Sequence, residues 1–306
     1  MRIVLARTQG FCAGVARAVK IVEQALDKYG APLYVYHEIV HNTHVINAFR
    51  ERGVVFVDDI EQVPLDRYVI FSAHGVAPYV VEQARERRLR CIDATCPLVK
   101  RIHKQAIEFS NRNIPVILIG NQHHQEIIGT SGYIRPDLLY FVQDADDAKR
   151  LPFDREALAG YLTQTTLSVD DTRNLIGILK DRFPRLIEPQ RSNICYATQQ
   201  RQDAIRELAG MVDIIVVCGS QTSSNSKRLR ETGEKCGVPS YLIDCAQDLD
   251  LALIKNKESL GISSGASVPY AVVEELILRI KGNFPAAQLF NLEDSGQTLV
   301  FPMPEI

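Results

Sequence analysis

Seven cysteines stand at positions 12, 91, 96, 195, 218, 236 and 245, and three of them share one local setting. Cys12, Cys96 and Cys195 each follow an extended-looking segment (RIVLARTQGFC, LRCIDATC, SNIC) and lead into a helical pattern (AGVARAVKIVEQAL, PLVKRIHKQAIEF, YATQQRQDAIREL). Pro97, directly after Cys96, suits a first helical turn. A thiol at a helix N-terminus meets the positive end of the macrodipole and unpaired N–H groups, which favours thiolate. Three thiolates, one from each of three modules, suit an iron–sulfur cluster in which one iron lacks a protein ligand. Such an open iron can act as a Lewis acid on a substrate oxygen. The plainer alternative is that the three fill space as small buried hydrophobes. Cys218 ends an apolar strand, and Cys91, Cys236 and Cys245 lack the matching junction, so core filling is expected of these four. The odd, dispersed set, with no CxxC pair, predicts reduced thiols in a cytosol and argues against a disulfide framework.

Polar residues gather where predicted strands end. Tyr68–Phe71 runs into Ser72-Ala73-His74-Gly75, and Val116–Gly120 into Asn121-Gln122-His123-His124-Gln125-Glu126. Tyr161–Leu162 runs into Thr163-Gln164-Thr165-Thr166, Ile214–Cys218 into a Ser/Thr/Asn-rich stretch over 219–226, and Gly261–Ser264 into Gly265-Ala266-Ser267-Val268-Pro269. In α/β sheets ligands collect at these carboxyl ends. Hydroxyls and N–H groups opening helices at 224 and 269 can cradle an anion, although Ser, Thr and Asn also serve as plain N-caps. Ser168 with Asp171 reads as such a cap. Together the five ends point to a diphosphate-sized ligand. The absence of GxxxxGK[ST] and GxGxxG gives no indication of a nucleotide. His41, His74 and His124 read as donors to phosphate oxygens and Glu126 as the carboxylate for proton delivery. His37 and His103 read as packing or surface residues.

The elements that must hold these groups alternate along the chain. Strands are predicted at Ile3–Ala6, Leu33–Tyr36, Val54–Val57, Tyr68–Ser72, Val116–Gly120, Leu139–Val142, Tyr161–Thr165, Ile214–Cys218, Ser240–Ile243 and Gly261–Ser264. Helical patterns cover 14–29, 42–52, 78–88, 97–112, 168–183, 198–210, 224–236 and 269–281. Continuously apolar strands (VILIG, DIIVVCG) predict parallel sheets covered on both faces. Weak breaks fall at 89–97, at 184–194 and after Gly282, where a tail with one hairpin-like stretch begins. In 306 residues, 46% hydrophobic and 24% charged content describes an ordinary globular chain, whose length predicts two domains with one large or three small ones as alternatives. With 35 basic and 37 acidic residues the net charge is −2, which gives no case for nucleic acid or an acidic membrane surface. No apolar run reaches the ~20 residues of a membrane helix. MRIVLARTQGFC lacks the apolar core of a secretory signal, so a cytoplasmic protein is expected.

Taken together, the stretches GFCAGV (10–15), HEIVHN (37–42), SAHGV (72–76), DATCPLV (93–99), HQEIIGT (124–130), TQTTLSVDDT (163–172), ICYATQQRQ (194–202), GSQTSSNS (219–226) and GASVP (265–269) resemble one family. That family is 4-hydroxy-3-methylbut-2-enyl diphosphate reductase, of the non-mevalonate isoprenoid pathway. The resemblance implies three small parallel-sheet α/β modules in a cloverleaf around a [4Fe–4S] cluster, one per chain. The boundaries expected are 13–96, 97–193, 194–281 with 1–12, and a tail over 282–306. By motif, the cluster ligands fall on Cys12, Cys96 and Cys195, and the diphosphate-binding histidines on His41, His74 and His124. The hydroxyl and amide cradle falls on Ser223, Ser224, Asn225 and Ser267. Thr165 matches the threonine beside the substrate hydroxyl and Glu126 the proton-relay glutamate. The chain departs from the family at Gln125, where a proline is frequent, and at Asn121, near which a basic residue or histidine is frequent.

The activity so implied is reductive dehydroxylation of 4-hydroxy-3-methylbut-2-enyl diphosphate to isopentenyl and dimethylallyl diphosphate. It uses two electrons from a donor such as ferredoxin or flavodoxin, and two protons. Two rivals come from other classes. A non-enzymatic iron–sulfur sensor explains the cysteines and leaves the phosphate cradle unused. A zinc-dependent phosphate hydrolase using His41, His44, His124 and Glu126 leaves the three matched cysteines unexplained.

Overall fold

A computed structural model describes residues 1–292 and 299–304. The first stretch of chain forms β1 (Arg2–Leu5), α1 (Ala13–Tyr29), β2 (Leu33–Tyr36), α2 (Thr43–Glu51), β3 (Val54–Val57), β4 (Tyr68–Phe71), α3 (Pro78–Glu86) and β5 (Arg90–Asp93). It continues as α4 (Pro97–Asn111), β6 (Val116–Ile119), α5 (Gln125–Ser131), β7 (Leu139–Val142), α6 (Ala145–Arg150), β8 (Gly160–Thr163) and α7 (Val169–Arg182). The last stretch forms α8 (Tyr196–Ala209), β9 (Ile214–Cys218), α9 (Ser224–Lys235), β10 (Ser240–Ile243), β11 (Ser259–Ser264), α10 (Tyr270–Asn283) and β12 (Gln288–Asn291). Among the described residues every strand pair is parallel, and the strands form three sheets ordered β10-β9-β11-β1-β12, β3-β2-β4-β5 and β7-β6-β8. The fold is therefore three small parallel-sheet α/β modules.

By contacts the chain divides into two compact units. One comprises Met1–Ala16, His41–Ala48 and Tyr196–Val300; the other comprises Arg17–Val40, Phe49–Cys195 and Phe301–Ile306. The first unit holds the five-stranded sheet. Strand β9 reads IIVVC because both its faces are covered: Ile214, Val216 and Cys218 pack with α10, whereas Ile215 and Val217 pack with α8 and α9 residues such as Leu208 and Leu229. Cys218 is thus core, as expected, whereas Cys91 and Cys236 are exposed and Cys245 is half-buried, so the core-filling expectation fails for those three, none of which lies on a strand buried on both faces. The second unit holds the other two sheets. Leu118 packs with Ile102 and Phe109 of α4 on one side of β6, and Ile117 and Ile119 pack with Leu175 and Leu179 of α7 on the other.

Four elements fall outside the predicted strand and helix ranges, although RCID lies in the segment read as extended before Cys96. Strands β5 (RCID) and β12 (QLFN) are sheet-edge strands with one face or less buried, so they carry no apolar run. Helices α5 and α6 span 7 and 6 residues, too few for a helical period to show. The expected break at 89–97 therefore contains a strand. The tail beyond Gly282 differs as well: β12 pairs parallel with β1, and the remainder of the expected hairpin-like stretch falls on 293–298, outside the described residues. The SNIC segment before Cys195 is also not a strand as expected; the nearest pairing upstream is a single bridge from Gly160 to Ile187. Among the described residues no helix is long and apolar enough to cross a membrane.

Gly160 opens β8 against the buried ring of Phe109, and a Cβ there would come within 2.7 Å of the ring. Gly160→Ala should therefore cost ~1–3 kcal/mol of stability in urea titration. The same substitution should cost less in a Phe109→Leu background, where the smaller side chain leaves room. Equal costs in both backgrounds would show that the ring does not set the constraint.

Candidate functional site

Each of the three matched cysteines immediately precedes a helix: Cys12 before α1, Cys96 before α4 and Cys195 before α8. Their own amides are tied to three different strand-end loops. In the first unit Cys12 N–H donates to Ala266 O at 3.0 Å. In the second unit Cys96 N–H donates to Ala73 O at 2.9 Å, and Cys195 N–H to Thr165 O at 3.1 Å. These acceptors are the neighbour of Ser267, the neighbour of His74, and Thr165 itself, so backbone bonds join each cysteine junction to a loop singled out for ligand chemistry.

In the second unit, α5 carries two of the candidates. The His124 ring caps this helix, its Nδ1 accepting the Glu126 N–H at 3.2 Å. With Nδ1 occupied as acceptor, the neutral ring carries its proton on Nε2, as a donor needs. The helix lies almost on the backbone of the His74 loop: a Cβ on Gly129 would meet Gly75 O at 3.1 Å, and one on Gly132 would collide with Ala77. The His74 and His124 rings consequently meet edge to face with centroids 5.8 Å apart. A cavity of about 220 Å³ lies beside this contact rather than at it, lined by Tyr36, Val76, Tyr79, Gln125 and Ile128 among others. Gln125 is the first residue of α5. Asn121 turns the preceding loop, its Oδ1 accepting the His123 N–H at 3.0 Å.

Glu126 is 3% exposed and bonded through both oxygens to one residue. Thr165 N–H donates to Oε1 at 2.6 Å and Thr165 Oγ1 donates to Oε2 at 2.7 Å. Burial pushes the carboxyl from its ordinary 4.5 up to about 7, against the downward pull of the two Thr165 bonds.

In the first unit the Ser/Asn cradle is compact. Ser223 caps α9, accepting the Ser226 N–H at 3.3 Å and the Ser226 hydroxyl at 3.1 Å, so the plain capping role holds for this residue. Ser224 is the first residue of α9. Asn225 is 6% exposed, yet neither its Oδ1 nor its Nδ2 finds a partner among the described residues. An amide stripped of water and left unbonded is costly, which makes it the strongest sign of a ligand group in this unit. Ser267 Oγ donates to His41 O at 2.9 Å, joining the cradle to the histidine loop. His44 Nε2 lies 3.0 Å from Asp244 O.

Sequence reasoning missed several supports. Asn42, next to His41, caps Val45 through Oδ1 while its buried Nδ2 finds no partner among the described residues. Gln164 accepts the Asn121 N–H at 3.2 Å and donates to Thr166 Oγ1 at 2.8 Å, tying two polar loops together. Buried Ser226 packs against Gly219 and Gly265 so closely that neither glycine has room for a Cβ. The runs GSQTSSNS and TQTT contained the signal, but polar residues in such runs are not individually distinguishable.

All seven cysteines are thiols without disulfide partners, and Cys12, Cys96 and Cys195 are partly exposed. Such soft donors fit iron–sulfur ligation better than a hard cation. Among the described residues no three His, Cys, Asp or Glu side chains gather as they would around a single metal ion. A four-iron cube sets its own atoms between its ligands, so thiols that share a cube stand further apart than those that share one ion.

The Glu126 shift has a sign that can be tested. Between pH 4.5 and about 7 the folded carboxyl stays protonated while the unfolded one ionises. Its contribution to stability is therefore complete below 4.5 and lost as pH rises through about 7. Relative to Glu126→Gln, the wild-type chain should lose up to about 1.4 kcal/mol per pH unit across that window. Urea unfolding of both proteins at several pH values measures it, and a pH-independent difference would refute the raised carboxyl.

A family model described as LytB protein matches residues 3–281. A 4-hydroxy-3-methylbut-2-enyl diphosphate reductase of Histophilus somni is 44% identical over 307 residues, covering 100% of this chain and 98% of the relative. The enzyme of the same name from Aeromonas salmonicida is 47% identical over 283 residues, covering 92% of this chain and 91% of the relative. The solved structure of the E-1-hydroxy-2-methyl-but-2-enyl-4-diphosphate reductase from Plasmodium falciparum matches with TM-score 0.95 and 33% identity, over 99% of this chain and 95% of that one. The chain belongs to the LytB family and, like these relatives, is an oxidoreductase.

Proposed function

We propose that this chain reduces 4-hydroxy-3-methylbut-2-enyl diphosphate to isopentenyl and dimethylallyl diphosphate, consuming two electrons and two protons and releasing water. One observation carries the proposal: the buried Glu126 carboxyl, raised to about 7, bonded to the Thr165 hydroxyl, with Thr165 O in turn accepting the Cys195 amide. A proton store, a hydroxyl and a thiol junction thus follow one another within a single unit.

Cys12, Cys96 and Cys195 would hold one [4Fe–4S] cluster per chain. When bound, that cluster supplies electrons one at a time and a Lewis-acidic iron without a protein ligand. The protein's own residues do the rest. His41, His74, His124, Ser223, Ser224, Asn225 and Ser267 hold the diphosphate and fix the orientation of the allylic end. The His124 Nε2–H and the unpartnered Asn225 amide are the donors best suited to its anionic oxygens. Thr165 Oγ1 hydrogen-bonds the substrate hydroxyl. Glu126 delivers a proton along that hydrogen bond, so that the hydroxyl leaves as water rather than as hydroxide. The second proton reaches either end of the allyl system from the substrate's own diphosphate, and the end protonated decides which product forms. Ferredoxin or flavodoxin chemistry would supply the electrons. Reduced thiols suit the cytoplasm.

The deciding experiment follows oxidation of a reduced viologen dye by anaerobic, cluster-loaded protein with and without 4-hydroxy-3-methylbut-2-enyl diphosphate. Substrate-dependent oxidation is expected, and Glu126→Gln should slow it by about 10²-fold or more while leaving the cluster absorbance intact. Loaded protein that oxidises no dye with substrate would remove the reductase and favour a sensor; an unimpaired Glu126→Gln would remove the assigned proton donor.

A further inference from the structure

Three arginines outside the proposed site make the same kind of bond at three places. Arg17 lies in the second turn of α1, the helix that follows Cys12, and its Nη1 donates to Ala94 O and Thr95 O, both at 3.3 Å. Those carbonyls belong to the two residues before Cys96. Arg101 lies in the second turn of α4, the helix that follows Cys96, and its Nη2 donates at 2.8 Å to Ser192 O, in the loop before Cys195. Arg201 lies in the second turn of α8, the helix that follows Cys195, and its Nη2 donates at 2.7 Å to Gly10 O, in the loop before Cys12. The helix behind each cysteine therefore grips the loop in front of the next, in the order 12, 96, 195 and back to 12. Each bond lies within one compact unit: the first two in the second unit, the last in the first.

The chemistry suits a clasp. A guanidinium is always charged and presents five donors in a rigid fork, so it can hold a backbone carbonyl while its stem packs along a helix. Arg17 is 7% and Arg201 2% exposed, and Arg17 also donates through Nε to Pro302 O at 2.8 Å. Placing a cation so deep is costly, and an apolar side chain would fill the space more cheaply. An arginine meeting a nearby carbonyl by chance has no reason to recur in the same helical turn. It has still less reason to choose, three times, a loop ending in one of the three matched cysteines.

We infer that Arg17, Arg101 and Arg201 are positioning residues, each fixing the loop that leads into the next cysteine thiol, so that the three thiols are placed as a relay. The inference rests on the proposal that Cys12, Cys96 and Cys195 share one cluster. It separates cleanly from that proposal because the loops are held whether or not iron is present.

The test uses the full chain. Iron is first counted in the reconstituted wild-type protein. The cluster-free protein is then alkylated with iodoacetamide under reducing conditions, and the rate at each cysteine is read by mass spectrometry of its peptide. Arg17→Met should change the rate at Cys96 by about fivefold, the weight of one intramolecular hydrogen bond, with Cys12 and Cys195 unaffected. Arg101→Met should shift Cys195 in the same way, and Arg201→Met should shift Cys12. Arg201→Lys, which keeps the charge and loses the fork, serves if the buried Met variant fails to fold. Changes confined to the cysteine on the arginine's own helix, spread evenly over all three, or absent, would overturn the relay. Wild-type protein without iron but with the next-cysteine pattern intact would sink the shared cluster and leave the relay standing.

Discussion

The amide of each matched cysteine is committed to the carbonyl of a polar loop: Cys12 to Ala266, Cys96 to Ala73, Cys195 to Thr165. The rest of the candidate site depends on these bonds. A side chain at a loop tip can rotate, whereas a backbone bond of about 3 Å between two loops fixes where both begin. By this device each thiol junction and one group of ligand candidates become a single rigid piece inside a module. Three repetitions of it yield three soft donors and three sets of polar donors without any carboxylate or histidine having to hold a cysteine in place.

Parallel sheets make the device possible. All strands of a module point the same way, so every strand-to-helix loop emerges at the same edge, and loops separated by many residues can bond to one another. Gln164, at the end of β8, accepts from Asn121, at the end of β6, because those strands are neighbours. Ser264, at the end of β11, accepts the Gly10 N–H at 3.3 Å because β11 and β1 are neighbours. Strands buried on both faces are largely apolar, with small serines admitted in β11, and most of the polar chemistry is thereby left to their ends.

That confinement explains what could be read from the sequence and what could not. The runs VILI and IIVVC announce buried strands, and the long amphipathic helices announce themselves, because each must bury a continuous surface. Edge strands such as RCID and QLFN bury little and leave little trace, and α5 is too short for its period to register. The cysteine junctions were legible because their signature is local: a strand or loop, a thiol, a helix. The arginine clasps were not, since Arg17, Arg101 and Arg201 look like ordinary solvent-facing helix residues until the chain folds and their carbonyl partners arrive from distant loops. Ser223 illustrates the middle case: its type pointed equally to capping and to anion binding, and only its bonds to Ser226 show that the cap is formed.

Glu126 is balanced between two opposed effects. Complete burial disfavours a charged carboxylate, while two donors from Thr165 favour it. Burial alone would hold the proton too tightly to give it up at neutral pH. Donors without burial would leave an ordinary carboxylate with no proton to give. The combination sets the carboxyl at about 7, where protonated and ionised forms are both accessible and a proton donor works best. The same Thr165 hydroxyl that tunes the acid is the group that, under the proposed function, would pass its proton on, and the same residue's carbonyl accepts the Cys195 amide. A side-chain change at Thr165 would therefore disturb the acidity of Glu126 and the proposed relay together, while the backbone carbonyl would still accept the Cys195 amide, so the threonine side chain and its backbone serve the site separately.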